Sequence, residues 1–412
     1  MKTGWATKPL GQVCTIKPPK SEARARQAAG ELVSFLPMED LGIDRKFVCG
    51  SQAKPLSAVA GSYTYFADGD VLLAKITPCF ENGKLGIANG LTNGIGFGSS
   101  EYIVFRPTAT LNKEWLYYFL SRESFREEGA ARMAGAVGHK RVAKEFIEGY
   151  PIPIPPLPEQ KRIVAILDEA FEGIATAKAN AEKNRQNARA IFESQLQSVF
   201  SHPGPDWRIM KVAEIAKHSL GKMLDKAKNR GTAQPYLRNI NVRWFAFDLS
   251  DLRQMPFLPK ESDKYTAIRG DVLICEGGYP GRAAMWNEDY PVYFQKALHR
   301  VRFHEMEHNK WFIYYLYSQN VSGELKQHFG GTGIQHFTGE VLAQFEVPLP
   351  PLPQLRRTVA KFDEMAEETL RLESIYERKL AALDALKNSL LHSAFAGELT
   401  AKAAPELVEA VA

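Results

Sequence analysis

The chain repeats one arrangement, a proline run followed by a long segment with helical periodicity. The run at 151–158 (PIPIPPLP) leads into EQKR, and the run at 348–353 (PLPPLP) leads into QLRR. Their equivalent leucines are 195 residues apart, and each lies 43 residues before a phenylalanine, Phe200 or Phe395. Proline lacks an amide donor and biases its predecessor towards extended backbone, so each run should act as a hinge from which a helix begins. Two helices of equal length predict one scaffold built twice.

The composition is that of a globular protein with two or three domains. Of the 412 residues, 45% are hydrophobic and 24% are charged, and no apolar run approaches the roughly 18 to 20 residues that cross a bilayer. Without a leader-like N-terminus, we expect a cytoplasmic protein with no membrane partner. Cys14, Cys49, Cys79 and Cys275 form no CxxC pair, so the sequence predicts buried or idle thiols, no metal and no cofactor. The net charge of +5 is a mild excess in the direction that favours phosphate contacts.

Matching landmarks divide the chain into five segments. GDVLL at 69–73 corresponds to GDVLI at 270–274, and the glycine-rich turn at 134–141 (AGAVGHKR) corresponds to the one at 330–336 (GGTGIQH). Short β-branched and aromatic runs between glycine turns predict a mixed α/β domain in each half. The predicted order is a first domain at 1–150, a proline hinge and long helix at 151–202, a second domain at 203–346, a second hinge and helix at 347–396, and a flexible tail at 397–412.

The two helices carry apolar stripes that predict an antiparallel coiled coil. The stripe of the second helix is Val359, Phe362, Ala366, Thr369, Tyr376, Leu380, Leu383 and Leu390. The stripe of the first is Val164, Leu167, Phe171, Ile174, Ala181 and Ala188, interrupted by Lys178 and Arg185. At ~1.5 Å per residue each helix is about 60 Å long. Antiparallel pairing would place the domains at opposite ends, related by a pseudo-twofold axis, which suits two DNA sites roughly one turn, ~34 Å, apart.

Several segments together resemble the specificity subunit of type I restriction-modification systems. They are the two proline runs with the residues after them, AKITPCFENGK at 74–84, GSSEYIVFRP at 98–107 and FAGEL at 395–399. The resemblance implies two target recognition domains for a split double-stranded DNA site, two methyltransferase subunits docked on the helices, and restriction/translocase subunits in the assembly. The second half departs from the pattern, because it lacks the TPxxENGK segment and has Gln354-Leu355 where the first half has Glu159-Gln160.

Candidate DNA contacts follow from side-chain chemistry. Arg and Lys pair with guanine edges, Asn and Gln with adenine, and other cations with phosphates. In the first domain the candidates are Lys20, Arg24, Arg26, Lys75, Thr77, Lys84, His139, Lys140 and Arg141. In the second they are Lys222, Lys226, Lys228, Arg230, Arg238, Asn239, Arg243, Tyr279, Arg282, Gln335 and His336. The glycine-rich turns are favoured because a flexible backbone can approach DNA closely.

Two functions from other classes remain open. A coiled-coil scaffold without nucleic-acid binding would carry interchangeable domain surfaces, whereas the sequence diverges around Lys75 and Glu276. A self-contained DNA methyltransferase would need a glycine-rich cofactor loop and an Asn/Asp-Pro-Pro-aromatic segment, and the sequence has neither, nor a GxxxxGK(S/T) loop. We therefore predict a non-catalytic subunit that recognises a bipartite DNA sequence with a fixed spacer.

Overall fold

A computed structural model describes residues 5–136, 138–225, 227, 229–331, 333 and 335–400. The chain divides into a first unit, Met1–Ala181 with Arg378–Ala412, and a second unit, Glu182–Glu377. Each unit therefore combines one globular domain with parts of both long helices, Leu157–Phe200 and Leu352–Ala396.

The first unit contains two main sheets and a two-stranded ribbon. The larger sheet has the strand order Cys14–Ile16, Tyr102–Pro107, Val71–Ala74, Leu85–Ala88 and Phe47–Val48. The smaller sheet has the order Gln52–Pro55, Leu32–Leu36, Ile95–Gly98 and Thr64–Ala67. The ribbon pairs Ala6–Pro9 with Pro151–Ile154. The α-helices of this domain are Leu10–Val13, Ser21–Arg26, Leu56–Val59, Lys113–Leu120, Glu123–Ala131 and Lys144–Gly149.

The second unit repeats this topology without a counterpart of the edge strand Phe47–Val48. One sheet has the order Ala216–Leu220, Leu298–Phe303, Val272–Cys275 and Ala283–Met285. The other has the order Arg253–Phe257, Thr232–Leu237, Val292–Phe294 and Thr266–Ala267. The ribbon pairs Arg208–Lys211 with Glu346–Leu349. The α-helices are Val212–Ile215, Ser262–Tyr265, Glu307–Ser322 and Gly339–Gln344. The predicted pair of mixed α/β domains with two long helices is confirmed.

The Gly-Asp pairs at 69–70 and 270–271 each precede a central strand, Val71–Ala74 in the five-stranded sheet of the first unit and Val272–Cys275 in the equivalent four-stranded sheet of the second. Both glycines have positive φ, +89° and +92°, a conformation that side chains with a Cβ rarely adopt. Each aspartate is buried and is held by two hydrogen bonds from an arginine on the neighbouring strand, Arg106 or Arg302. The turn and the paired, buried aspartate explain why this short motif recurs.

Each proline run begins in a β-strand and ends in the first residues of a long helix. Pro151–Ile154 and Glu346–Leu349 each pair antiparallel with the first strand of their own domain, and a two-stranded ribbon tolerates proline because it has free edges. A buried indole fixes each run further: Trp115 Nε1 donates to the Pro153 carbonyl at 3.0 Å, and Trp311 Nε1 donates to the Pro348 carbonyl at 2.8 Å. The extended backbone was predicted correctly, but these residues belong to the domains.

The predicted stripes lie on the protected sides of the helices. Every stripe residue is buried or partly buried, and Leu167 and Phe362 are 0% and 1% exposed. In the first unit, Lys178, predicted to interrupt the stripe, places its Nζ 2.6 Å from Asp384 Oδ1. A charged residue within the stripe therefore faces the other helix and meets an opposite charge.

In the second unit, two ion pairs show the direction of the helix pairing. Arg185 Nη1 lies 3.5 Å from Glu377 Oε1, and Arg189 Nη2 lies 2.7 Å from Glu373 Oε1. Residue numbers rise along one helix as they fall along the other. The predicted antiparallel pairing is therefore confirmed within this unit.

The helix end at 396 leads into residues that still belong to the first unit. The Glu398 amide donates to the Ser393 carbonyl at 2.9 Å, and Leu399 packs against the core of the unit. Residues 397–400 of the predicted flexible tail are thus held against the domain by hydrogen bonding and apolar packing. The remainder, 401–412, lies outside the described residues.

Two cysteines are core residues. Burial raises the pKa of the Cys14 thiol to about 12 and that of Cys275 to about 11. Both thiols are therefore protonated at neutral pH and behave as small apolar side chains. Cys49 is exposed, and Cys79 is partly buried.

Candidate nucleic-acid interface

In the first unit, two predicted DNA-contact segments lie side by side. The central strand Val71–Ala74 continues into Lys75, whose carbonyl accepts a 3.0 Å hydrogen bond from the Val142 amide. The Thr77 amide donates to the Lys140 carbonyl, also at 3.0 Å. The end of the glycine-rich turn is thus bound to the segment after the strand. We define the first recognition surface as Lys75, Thr77, Glu101 and residues 139–141.

The side chains of this surface form a charge cluster. Arg141 Nε and Nη2 donate to the two carboxylate oxygens of Glu101 at 2.9 and 2.8 Å. Lys75 Nζ donates to the Ser100 carbonyl at 3.0 Å and lies 3.9 Å from Glu101 Oε2. Hydrogen bonding from Arg141, with a smaller contribution from Lys75, holds the pKa of Glu101 below its ordinary value. Glu101 was not among the sequence candidates, since its importance arises from a contact 40 residues away.

The remaining members of the first surface are accessible or contact their neighbours. His139 and Lys140 are exposed. Thr77 is partly buried, and its hydroxyl lies 3.8 Å from the Met133 sulfur. The two exposed side chains can reach a phosphate or base edge without first breaking a buried contact.

The second unit builds the equivalent surface with other residues. The Phe337 amide donates to the Glu276 carbonyl at 2.7 Å, and Gly277 pairs with His336 as an antiparallel bridge. His336 Nδ1 lies 3.9 Å from Glu276 Oε1. We define the second recognition surface as Glu276, Gly277, Gln335 and His336. Gln335 is exposed and His336 is partly exposed.

Lys84 and Arg282 occupy equivalent places and have structural contacts. Each ends the loop that follows the central strand of its domain. Lys84 Nζ donates to the Met38 carbonyl at 2.7 Å, and Arg282 Nη2 donates to the Asn239 carbonyl at 3.0 Å. Both carbonyls belong to short 3-10 turns, Met38–Asp40 and Asn239–Asn241. These cations therefore tie a loop to a turn, which reduces their freedom to bind DNA.

Asn239 and Tyr279 border the second recognition surface. Asn239 Nδ2 donates to the Gly277 carbonyl at 3.0 Å. The ring of Tyr279 is covered by the Arg282 guanidinium, whose central carbon lies 3.8 Å from the ring centroid, yet Tyr279 remains 52% exposed. Its open part can contact a base or sugar.

Two predicted DNA contacts have side chains that are buried with partners of their own, which disfavours contact with DNA. Lys222 is 6% exposed, and its Nζ donates to Glu261 Oε2 at 2.6 Å. Arg238 is 8% exposed, and its Nη2 donates to Asp251 Oδ2 at 2.7 Å. A buried cation is retained in a fold only when it is paired. Two further candidates lie outside the described residues: Lys226 and Lys228.

Three basic candidates lie on or beside the helix Ser21–Arg26. Lys20 Nζ donates to the Gly61 carbonyl at 2.6 Å, and partial burial together with nearby cations lowers the pKa of this lysine. Arg24 and Arg26 are exposed, and Arg26 Nη2 approaches the Asn93 carbonyl at 3.4 Å. Among the described contacts, none joins these three side chains to the first recognition surface.

The remaining basic candidates of the second domain are exposed. Arg230 donates to the Asn229 carbonyl at 3.1 Å. Arg243 donates to the Ile240 carbonyl at 2.6 Å and lies 3.4 Å from Asp248. Both are accessible to a phosphate.

The described part of the chain offers no group of three His, Cys, Asp or Glu residues that could hold a metal ion. A search of the same residues finds no helix with the length and apolar character needed to span a membrane.

Comparisons with known proteins agree with this architecture. A family model described as "Type I restriction modification DNA specificity domain" matches residues 2–184 and 205–378. The chain is 39% identical over 162 residues to the type I restriction enzyme EcoEI specificity subunit of Escherichia coli, a match covering 39% of this chain and 27% of that protein. It is 23% identical over 313 residues to the MjaVIII specificity subunit of Methanocaldococcus jannaschii, covering 70% of each.

Two solved structures share the fold. One, described as "Structural basis underlying complex assembly and conformational transition of the type I R-M system", gives a TM-score of 0.79 at 21% identity and covers 97% of this chain and 99% of that one. The HsdS subunit from Thermoanaerobacter tengcongensis gives 0.62 at 20% identity, covering 97% and 98%. The family match spans both halves of the repeat, and the chain therefore belongs to the type I restriction modification DNA specificity domain family.

Proposed function

We propose that this chain is the sequence-recognition subunit of a type I restriction-modification complex. Each domain would recognise one half of a bipartite double-stranded DNA target with a fixed, non-specific spacer. The observation that carries the proposal is the repeat itself: two domains that share their strand order except for one edge strand present different side chains on equivalent surfaces. Lys75 and Arg141 on the first correspond to Glu276 and His336 on the second.

The side chains of the two surfaces suit DNA recognition. The first surface offers exposed cations, which can pair with phosphates or with the major-groove acceptors of guanine. The second offers Gln335, His336 and the half-exposed Tyr279, which supply hydrogen-bond donors, acceptors and apolar contact. Different half-site sequences would then be selected within one backbone frame.

The proposed partners are two methyltransferase subunits, which would dock on the long helices, and the restriction/translocase subunits of the assembly. In the second unit, Ile191 and Leu370 lie on the two helices, and each is 65% exposed. Arg189 pairs with Glu373 one turn or less away, so the two apolar side chains lie at similar levels of the helix pair. Exposed apolar residues of this size favour a protein partner. We place the complex in the cytoplasm.

The chain itself would be non-catalytic. The methyltransferase alternative predicts binding of S-adenosylmethionine by the purified chain, and the scaffold alternative predicts no DNA binding. No contact among the described residues favours either. We expect calorimetric titration of the full chain with S-adenosylmethionine to show no binding heat, and a measurable affinity would support the methyltransferase alternative.

Methylation profiling tests the proposed function directly. A host lacking type I systems would express a methyltransferase subunit of this system with or without the chain, and modified bases would be mapped across the genome. We expect one bipartite motif with a constant gap, present only when the chain is expressed. Methylation of the same motif in cells without the chain would contradict the proposal. The absence of any methylated motif in cells with the complete complex would also contradict it.

A further inference from the structure

We propose that residues 141 and 336 are equivalent specificity-determining positions, and that Arg141, positioned by Glu101, selects a guanine in the first half of the target. This inference rests on the proposed function and adds to it a base, a residue and a mechanism of orientation.

The backbone establishes that the two positions are equivalent. Arg141 forms an antiparallel bridge with Ile76, just beyond the central strand of the first domain. His336 forms the same bridge with Gly277 in the second domain. Each also pairs with the residue that opens its own glycine-rich turn. One site in the shared frame therefore carries Arg in one domain and His in the other.

A carboxylate accompanies this site in both domains, although it comes from different positions in the chain. Glu101 supplies it in the first domain, and the Glu101 carbonyl accepts from the Lys75 amide at 2.9 Å. In the second domain the corresponding bond runs from the Glu276 amide to the Ala297 carbonyl at 2.8 Å. Glu276 thus occupies the place of Lys75, and its carboxylate faces residue 336. A carboxylate therefore lies beside residue 141 and beside residue 336, although a different position in the chain supplies it in each domain.

The contacts of Arg141 leave one edge of its guanidinium available. The guanidinium has five N–H groups. The one on Nε and one of the two on Nη2 donate to Glu101, and one of the two on Nη1 donates to the His139 carbonyl at 3.2 Å. One N–H remains on each of Nη1 and Nη2, and the side chain is 47% exposed. A guanidinium with two donors still available can pair with the O6 and N7 acceptors of guanine in the major groove.

The carboxylate of Glu101 favours contact of Arg141 with a base over contact of Arg141 with a phosphate. A carboxylate in direct contact with the guanidinium opposes the approach of a negatively charged phosphate. It also fixes the orientation of a side chain that otherwise loses rotamer freedom on binding, which favours a directional bidentate pair. The pair therefore suits recognition of a neutral base edge.

Selection from a pool of randomised 40-base-pair duplexes by the full chain, followed by sequencing, tests this inference. The variants are Arg141→Ala, Arg141→Lys and Glu101→Gln. Glu148→Gln is the matched control, since Glu148 forms an exposed ion pair with Lys144 in the same domain. We expect the native motif to contain a G·C pair at which Arg141→Ala and Arg141→Lys lower discrimination by roughly 10- to 100-fold, with other positions unchanged.

The Glu101→Gln variant tests the positioning role of Glu101 separately. Glu101→Gln should weaken preference at that same base pair while leaving total affinity for the pool equal or higher, because a negative charge is removed. Glu148→Gln should select the native motif. Thermal unfolding of each variant verifies that the domain remains folded.

Two results would overturn the inference. Arg141→Ala could weaken binding to every sequence alike, which would identify a phosphate contact, or Glu101→Gln could leave the preference at every position unaltered. Failure of the proposed function is distinguishable, because the unsubstituted chain would then select no motif before any variant is compared.

Discussion

Gln160 and Leu355, which occupy equivalent places at the start of the long helices, allow a reciprocal test of the core. Gln160 is 0% exposed and satisfies three backbone groups. Its Nε2 donates to the Thr110 and Pro155 carbonyls at 2.9 and 2.8 Å, and its Oε1 accepts from the Asn112 amide at 2.8 Å. Gln160→Leu removes all three bonds. At ~1 kcal/mol each the loss is about 3 kcal/mol, which burial of the more apolar leucine reduces to about 2 kcal/mol.

The reverse change, Leu355→Gln, is the matched comparison. Leu355 is 1% exposed within the apolar core of the second unit, so an amide introduced there would lack the partners that Gln160 has. We expect a destabilisation of about 2 kcal/mol.

Hydrogen exchange measured by mass spectrometry, together with urea unfolding, would localise each effect. Faster exchange should appear around residues 107–122 for Gln160→Leu, and in the second unit for Leu355→Gln. If the free energy of unfolding of Gln160→Leu lies within about 0.5 kcal/mol of that of the native chain, the three hydrogen bonds do not stabilise the fold as argued.

Two further predictions concern a helix contact and a buried histidine. Asp168 on the first long helix accepts a hydrogen bond from the Tyr118 hydroxyl and pairs with Lys46 at 2.5 Å. Because the Asp168 side chain is partly exposed, Asp168→Ala should lower the free energy of unfolding by only about 1 kcal/mol. An unchanged midpoint of thermal unfolding would contradict this prediction. Burial lowers the pKa of His299 to about 4. As pH falls below about 6.5, His299 therefore binds a proton in the unfolded chain before it does so in the folded chain. Stability should drop between these pH values, and His299→Gln should flatten that dependence in urea titrations; equal slopes for both proteins would refute it.

The long helices and domain repeat could be predicted because they depend on local chemistry and periodic patterns. The functions of single cations could not. Lys222 and Lys140 are the same residue type in basic stretches, yet Lys222 is buried against Glu261 and Lys140 is exposed. The difference arises from strand packing that brings together residues 39 positions apart. Glu101 was missed for the same reason, since its contact with Arg141 exists only in the folded domain.

The proline runs show a second limit of local reasoning. Proline chemistry correctly excludes a helix at 151–154, but it does not specify whether an extended segment pairs with another strand. Pairing with Ala6–Pro9 and the hydrogen bond from Trp115 decide the outcome. Both partners are remote in sequence, so a segment predicted to be a hinge is part of the domain.

The charged interruptions of the first helix have a role that the stripe pattern did not reveal. Lys178 and Arg185 interrupt the predicted stripe, but each faces an acid across the pair, Asp384 in the first unit and Glu377 in the second. Exposed ion pairs of this kind contribute little stability. Their value lies in specificity: a slip by one turn would set Lys178 against Leu380 or an uncharged asparagine and remove its partner. The apolar stripe therefore determines which faces meet, while the pairing of Lys178 disfavours such a slip.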